Sequence, residues 1–170
     1  LVSLDLAYWD LQNFDGLANC TKLANLNLHY CNSLQNVNGL ANCIKLTNLD
    51  LSGCYSLQNA DELVKLTNLT SLNLTDCSKI VKPKISVMTT REEVIEYQVK
   101  TRFVMALRDG DTDVLKDYRK STNLDLSGCY SLKNLDGLAN CTNLTTLKLN
   151  WCNSLQNVDG LVNCTKLASL

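Results

Sequence analysis

The sequence predicts an α/β solenoid: short parallel strands stacked side by side, joined by tight turns and short helices, with a helical hairpin inserted part-way along. Three observations predict it. A leucine-spaced segment recurs every 23 residues over most of the chain. All nine cysteines fall into two columns of that repeat. The pattern stops after residue 80 and resumes at 121, and the residues between differ in composition. A fixed period of 20–50 residues is the mark of a stacked-repeat architecture, in which no unit buries its own apolar face and neighbours must do so.

The period is read from the strings Leu23-Ala24-Asn25-Leu26-Asn27-Leu28, Leu46-Thr47-Asn48-Leu49-Asp50-Leu51, Leu69-Thr70-Ser71-Leu72-Asn73-Leu74 and Leu144-Thr145-Thr146-Leu147-Lys148-Leu149. Repeats 5 and 6 run 121–143 and 144–166, repeat 1 (1–22) is one residue short near Trp9, and 167–170 opens a seventh. The shared pattern is L-x-x-L-x-L-x-x-C-x-S-L-x-N-x-D-G-L-A-N-C-T-K. Its L-x-L core predicts a strand with leucines inward and the intervening residues outward. Positions 12, 15 and 18 (Leu34, Val37 and Leu40 in repeat 2) return the chain across the core. Asp/Asn-Gly at positions 16 and 17 is a turn or helix-start signal, as at Asp15-Gly16, Asn38-Gly39, Asp136-Gly137 and Asp159-Gly160. The Leu-Ala-Asn-Cys that follows is expected to form one helical turn.

The first half of this pattern resembles the leucine-rich repeat, whose signature is L-x-x-L-x-L-x-x-N/C-x-L. The resemblance covers about 130 of the 170 residues and recurs six times. The C-T-x-L junctions are similar to some bacterial surface repeats and L-D-L-S-G-C to plant resistance-protein repeats, so the subfamily stays open. The resemblance implies a curved parallel sheet on a concave face, short helices and turns on the convex face, and binding through the concave side. Outward residues near the strands then become candidates for partner contact: Tyr8, His29, Tyr30, Asp50, Asp76, Asn150 and Trp151. Tyr55 and Tyr130, at position 10, are further aromatics past the strand. Exposed aromatics among polar neighbours suit protein recognition.

Position 9 holds Cys31, Cys54, Cys77, Cys129 and Cys152, with Trp9 in repeat 1; position 21 holds Cys20, Cys43, Cys141 and Cys164, with Leu66 in repeat 3. Interchange with Trp and Leu predicts buried apolar columns of reduced thiols, since free Cys packs as a small hydrophobe. Disulfides between stacked cysteines and a metal are the alternatives; zinc would call for C-x₂₋₄-C clusters, and none is present. Buried free thiols lean towards a reducing compartment, the cytoplasm, with a secreted or surface location left open.

Residues 81–120 contain no Cys or Asn, the only Pro (Pro83), both Met and 9 of the 16 basic residues. Thr90-Arg91-Glu92-Glu93 is a capping-box start, and a helix is expected to run to about Arg108 with a Glu96–Lys100 pair at i, i+4. Val94, Ile95, Tyr97 and Met105 share one side while Phe103 and Leu107 fall on the other, which predicts burial on two sides. Asp109-Gly110-Asp111 stops this helix and starts a second over 112–119. The domain plan is therefore repeats 1–4 in 1–80, a helical insertion or inter-array cap in 81–120, and repeats 5–7 in 121–170, the last partial. Unchanged repeat grammar on both sides favours a lateral insertion; Ser121 in place of the first leucine of repeat 5 favours a cap.

Function classes narrow by composition. A net charge of −1 gives no global field toward nucleic acid or membrane. The basic residues of the insert (Arg91, Lys100, Arg102, Arg108, Lys116, Arg119, Lys120) are interleaved with seven acids, which reads as a solvated helical surface. No apolar run is long enough to span a bilayer. No signal peptide opens the chain, which carries little weight because it begins and ends inside a repeat, at Leu1 and Leu170. Position 5 (Asp5, Asn27, Asp50, Asn73, Asp125, Lys148) reads as a solvated polar row with too few carboxylates for a calcium ladder. The single histidine, His29, has no nucleophile or partner carboxylate at a diagnostic spacing, and no phosphate loop or H-E-x-x-H is present. No catalytic, cofactor or metal residues are expected. The function expected is a protein-interaction scaffold for a protein or peptide partner. Two readings stand beside it: the recognition part of a larger enzyme or effector whose catalytic domain lies outside this chain, and a structural surface array.

Overall fold

The computed structural model describes residues 1–80, 87–129 and 132–170. Pro83 and Tyr130 lie outside the described residues. The chain forms two compact units, Leu1–Val99 and Lys100–Leu170.

In the first unit each repeat contributes one three-residue strand: β1 (Ser3–Asp5), β2 (Asn25–Asn27), β3 (Asn48–Asp50) and β4 (Ser71–Asn73). They pair in parallel with Leu4, Leu26, Leu49 and Leu72 side by side. The register advances by 23 residues from β2 to β4 and by 22 from β1 to β2, which is the one-residue deletion of repeat 1 in three dimensions. A fifth strand, β5 (Val87–Met88), pairs antiparallel with β4 and covers the edge the parallel array leaves open. In the second unit β6 (Asn123–Asp125) and β7 (Thr146–Lys148) pair in parallel, again 23 apart. This is the leucine-rich-repeat form of an α/β solenoid, one strand and one turn per repeat.

In the first unit the leucines at positions 1, 4, 6, 12 and 18 of repeats 2 and 3 are buried in columns, and Leu23, Leu28, Leu34, Leu40, Leu46 and Leu51 are fully enclosed. On the far side of each repeat a tight 3-10 turn starts on the Asp/Asn-Gly pair: Asp15–Leu17, Asn38–Leu40, Asp136–Leu138 and Asp159–Leu161. The helical turn thus falls on Asp-Gly-Leu, two residues earlier than the expected Leu-Ala-Asn-Cys. The reason is the asparagine at position 14. Its side-chain oxygen accepts from the backbone N–H two residues on, as in Asn36 to Asn38 (3.1 Å), Asn59 to Asp61 (2.8 Å) and Asn134 to Asp136 (3.1 Å), and sets the turn there.

The cysteine columns have a specific logic. All nine are free thiols. Four of the five position-9 thiols donate to the position-6 carbonyl of the preceding repeat: Cys31 to Leu6 (3.3 Å), Cys54 to Leu28 (3.3 Å), Cys77 to Leu51 (3.1 Å) and Cys152 to Leu126 (3.1 Å). Position 21 repeats the device more loosely, with Cys43 to Leu17 at 3.6 Å and Cys164 to Leu138 at 3.7 Å. Cysteine suits both columns because it fills an apolar site and still offers a weak donor. Trp9 departs from the expected buried column: it is 59% exposed, because within these 170 residues repeat 1 has a neighbour on one side only.

Burial pushes the Cys54 and Cys129 thiols up to about 12. A thiol whose folded value is raised stabilises the fold below its unfolded value, near 9, and loses that contribution as pH climbs towards 12. Stability is therefore expected to be flat to about pH 9 and then to fall by up to about 1.4 kcal/mol per pH unit for each such thiol. Urea melts across that range check the slope. In the same preparation, neutral alkylation of native protein should reach the half-exposed Cys20 and Cys152 and spare Cys54 and Cys129, and denaturation without reductant should release nine thiols. Fewer than nine would contradict the free-thiol columns.

The capping box forms as expected. Glu93 Oε2 accepts from the backbone N–H of Thr89 (2.9 Å) and Thr90 (3.1 Å), and Thr90 Oγ1 accepts from the Glu93 N–H (3.3 Å). Those donors hold the Glu93 carboxyl below the ordinary carboxylate range. Helix α1 runs Arg91–Asp109, and Gly110, with a φ of 70°, ends it. Asp111 then caps α2 (Thr112–Lys116) by accepting from Asp113 and Val114 N–H; α2 stops three residues short of the expected 119. Val94 and Tyr97 join the first unit's core, and Gln98 donates to the Leu63 (2.8 Å) and Leu66 (3.0 Å) carbonyls. In the second unit Phe103 packs on Tyr118, ring centroids 4.0 Å apart. Burial on two sides is thus found, but Ile95 is 42% exposed rather than part of it. The Glu96–Lys100 pair is replaced: Lys100 Nζ donates to the Ser127 carbonyl at 2.6 Å.

Candidate functional site

Just past each strand, at position 8, the backbone turns through the left-handed region. The φ values are 66° at Tyr8, 56° at Tyr30, 73° at Gly53, 62° at Asp76, 76° at Gly128 and 63° at Trp151. The expected outward strand residues are therefore turn residues, a correction with a clear cause. The N–H of position 9 closes on the carbonyl of position 6, as in Cys31 to Leu28 (3.1 Å). The N–H of position 8 reaches the position-7 carbonyl of the next repeat: Tyr8 to His29 (2.7 Å), Tyr30 to Ser52 (2.8 Å) and Gly128 to Asn150 (2.7 Å). Positive φ at the third residue of such a turn favours glycine, and repeats 3 and 5 have glycine there. Repeats 1, 2, 4 and 6 hold Tyr, Tyr, Asp and Trp instead, at a cost of about 1–2 kcal/mol each.

Position 5 caps this turn. Its side-chain oxygen accepts from the N–H of position 7: Asp5 to Ala7 (3.0 Å), Asn27 to His29 (3.0 Å), Asp50 to Ser52 (2.8 Å), Asn73 to Thr75 (3.1 Å) and Asp125 to Ser127 (2.9 Å). The row expected to be merely solvated is a column of turn caps, which Lys148 alone cannot continue.

In the first unit the rings gather. Tyr8 and Tyr30 stack with planes 5° apart and centroids 5.6 Å apart. The His29 ring stands edge-on to Tyr30 at 4.4 Å and to Tyr8 at 5.3 Å. Tyr55 approaches Tyr30 at 5.9 Å, and the hydrogen bond to Tyr30 is the main cause that raises its hydroxyl pKa. Tyr8 is 72% exposed. Beside this cluster lies a groove of about 370 Å³, lined by Ser3, Asn25, Asn48 and Ser71 of position 3 and Asp5, Asn27, Asp50 and Asn73 of position 5, with Val87 among its lining residues. Asn48 Nδ2 donates to Asn25 Oδ1 at 2.6 Å, and Asn73 Nδ2 to Asp50 Oδ2 at 3.2 Å.

His29 has partners that spacing did not reveal. Its Nδ1 lies 2.7 Å from Ser52 Oγ, and Ser52 Oγ in turn donates to Asp50 Oδ1. The order is carboxylate, hydroxyl, imidazole. Nucleophilic catalysis needs the imidazole in the middle, taking the hydroxyl proton. Here the single serine proton goes to Asp50, so His29 donates to Ser52 through Nδ1, and in the neutral form of the ring Nε2 is left as an acceptor. Ser52 is also buried. This relay orients a ring; it does not activate a nucleophile. Asp50 Oδ1 accepts from Ser52 of its own repeat and Oδ2 accepts from Asn73 of the next, so Asp50 positions its neighbours. Asp76 is exposed. In the second unit Asn150 and Trp151 occupy the matching positions 7 and 8, and Trp151 is 71% exposed.

No protein-family model matches the chain, and no curated protein matches it. Among solved structures it is similar to internalin C2 of Listeria monocytogenes, with 20% identity over all of this chain and 70% of that one and a TM-score of 0.45. It is also similar to an internalin (InlF) of the same bacterium, with 17% identity over 99% of this chain and 66% of that one and a TM-score of 0.23. Among the described residues no group of His, Cys, Asp and Glu is arranged to hold a metal ion, and no helix is long and apolar enough to cross a membrane.

Proposed function

We propose that the chain is a protein-interaction scaffold whose strand-side surface, centred on Tyr8, His29 and Tyr30, receives a protein or peptide partner. The observation that carries this reading is the aromatic occupation of a left-handed turn. Packing does not require it, since Gly53 and Gly128 fill the same position. An exposed ring at a strained backbone position is stability given up for display, and such strain clusters at binding sites. Aromatic anchors are the side chains that most often carry interface energy. Asn150 and Trp151 extend the proposal to the second unit. In this reading residues 87–99 close the first array: β5 on the edge of β4, and Val94 and Tyr97 in the same core, support a cap over a lateral insertion.

Affinity capture from native extract with mass spectrometry, run beside the variant Tyr8→Ala/Tyr30→Ala/Trp151→Ala, tests it. Partners captured by the wild type should be lost by at least tenfold from the variant, whose thermal unfolding should stay close to wild type. Unchanged capture would reject the strand-side site.

A further inference from the structure

We infer that the partner segment read by the first unit is a basic peptide, with an arginine or lysine side chain laid on the Tyr8–Tyr30 stack. The inference rests on the strand-side reading above and adds the chemistry of the ligand.

The ring geometry comes first. Tyr8 and Tyr30 are stacked near-parallel, and Tyr8 is largely exposed. An exposed aromatic face attracts a cation through its quadrupole, and a planar guanidinium stacks best. His29 stands edge-on to both tyrosines, and Ser52 fixes its ring, so that in the neutral form of the ring Nε2 presents an acceptor beside them. A cationic donor satisfies that acceptor; an anion does not.

Charge follows independently. Positions 2 to 8 of repeats 1–4 carry Asp5, Asp50 and Asp76 and not one Lys or Arg. Asp5 and Asp50 line the groove beside the ring cluster, and Asp76 acts electrostatically on Tyr55, which touches Tyr30. A surface whose described strand positions carry π faces and carboxylates is complementary to Arg or Lys and repels acidic segments. The groove's amides and hydroxyls offer both donors and acceptors, which an extended peptide backbone needs. The same positions in the second unit include Lys148, so cation preference belongs to the first unit alone.

The test uses the full chain and three fluorescein-labelled nine-residue peptides with alternating glycine: one with arginine, one with isosteric neutral citrulline, one with glutamate. A neutral oligosaccharide serves as competitor. Anisotropy should show the arginine peptide binding at least tenfold tighter than the citrulline one and the glutamate peptide not at all. Tyr8→Ala should weaken arginine binding at least fivefold, and Asp5→Asn with Asp76→Asn at least threefold, with a steeper loss at high salt for the wild type. Lys148→Ala should leave it unchanged. Equal binding of the arginine and citrulline peptides, or displacement by the oligosaccharide with no peptide preference, would overturn the inference. No binding of any peptide would overturn it too. Loss of captured partners from the Tyr8/Tyr30/Trp151 variant would still stand in that case, which separates failure of the chemistry from failure of the site.

Discussion

Leu49→Asp is expected to abolish cooperative unfolding of the first unit. Leu49 sits at the centre of β3, 2% exposed, between Leu26 and Leu72 on the neighbouring strands. The substitution removes a leucine worth about 1.5–3 kcal/mol of burial and places a carboxylate among hydrocarbon. The core partners around it are leucines and thiols, so it finds no cation. The combined cost exceeds about 4 kcal/mol, a large part of the stability of a domain this size. A solenoid is more vulnerable than a layered globule, because each repeat is held only by its neighbours and a broken middle repeat leaves two short stacks. Circular dichroism should show no sigmoidal thermal transition from residues 1–99. Asn48→Asp, one residue earlier and exposed, should change stability by less than about 1 kcal/mol. A wild-type melt for Leu49→Asp would contradict the core assignment.

Gly39→Ala is expected to cost about 1–3 kcal/mol, and Gly16→Ala almost nothing. The two glycines occupy the same column of consecutive repeats, so the contrast isolates stacking from turn propensity. A Cβ on Gly39 would lie 2.3 Å from the Phe14 carbonyl oxygen and 2.5 Å from its carbon, whereas nothing lies within 4 Å of Gly16. The obstacle is backbone, so relief requires one repeat to move off the next. Gly160 meets the same obstacle at Leu135 in the second unit. Repeat 3 shows what happens without glycine: Glu62 occupies the column, and the 3-10 turn lengthens to Asp61–Lys65 with a Glu62–Lys65 ion pair at 2.8 Å. Differential scanning calorimetry checks the pair; equal melting temperatures would contradict close backbone stacking through position 17.

The fold was legible because its period is written in leucines, and leucine spacing decides which face is buried. Even the 22-residue step between β1 and β2 follows from one missing residue in repeat 1. The helical segment was legible through its caps, Thr90 with Glu93 and Asp111, which are local chemistry. What spacing hid was backbone conformation. Tyr and Trp carry no sign of positive φ, and only Gly53, Gly128 and Asp76 in the same column point to it. The Asn at position 14 recurs as Asn13, Asn36, Asn59, Asn134 and Asn157, and a reading of columns rather than strings finds it as the turn cap. The same applies to His29. Its partner Ser52 is 23 residues on, so the two share position 7 of adjacent repeats. Contacts in a solenoid run down columns, and motif spacings from globular enzymes do not describe them. Ile95 failed for a different reason: a helix packed on two unlike surfaces has no single apolar stripe.

The most direct test of the central claim is hydroxyl-radical footprinting of the chain with and without its captured partner. Tyr8, His29, Tyr30 and Tyr55 are expected to lose reactivity at least threefold in the complex, while Trp9 and the first unit's 3-10 turns, such as that at Leu17, keep theirs. Protection confined to those turns, with Tyr8 and Tyr30 as reactive as in the free chain, would contradict it.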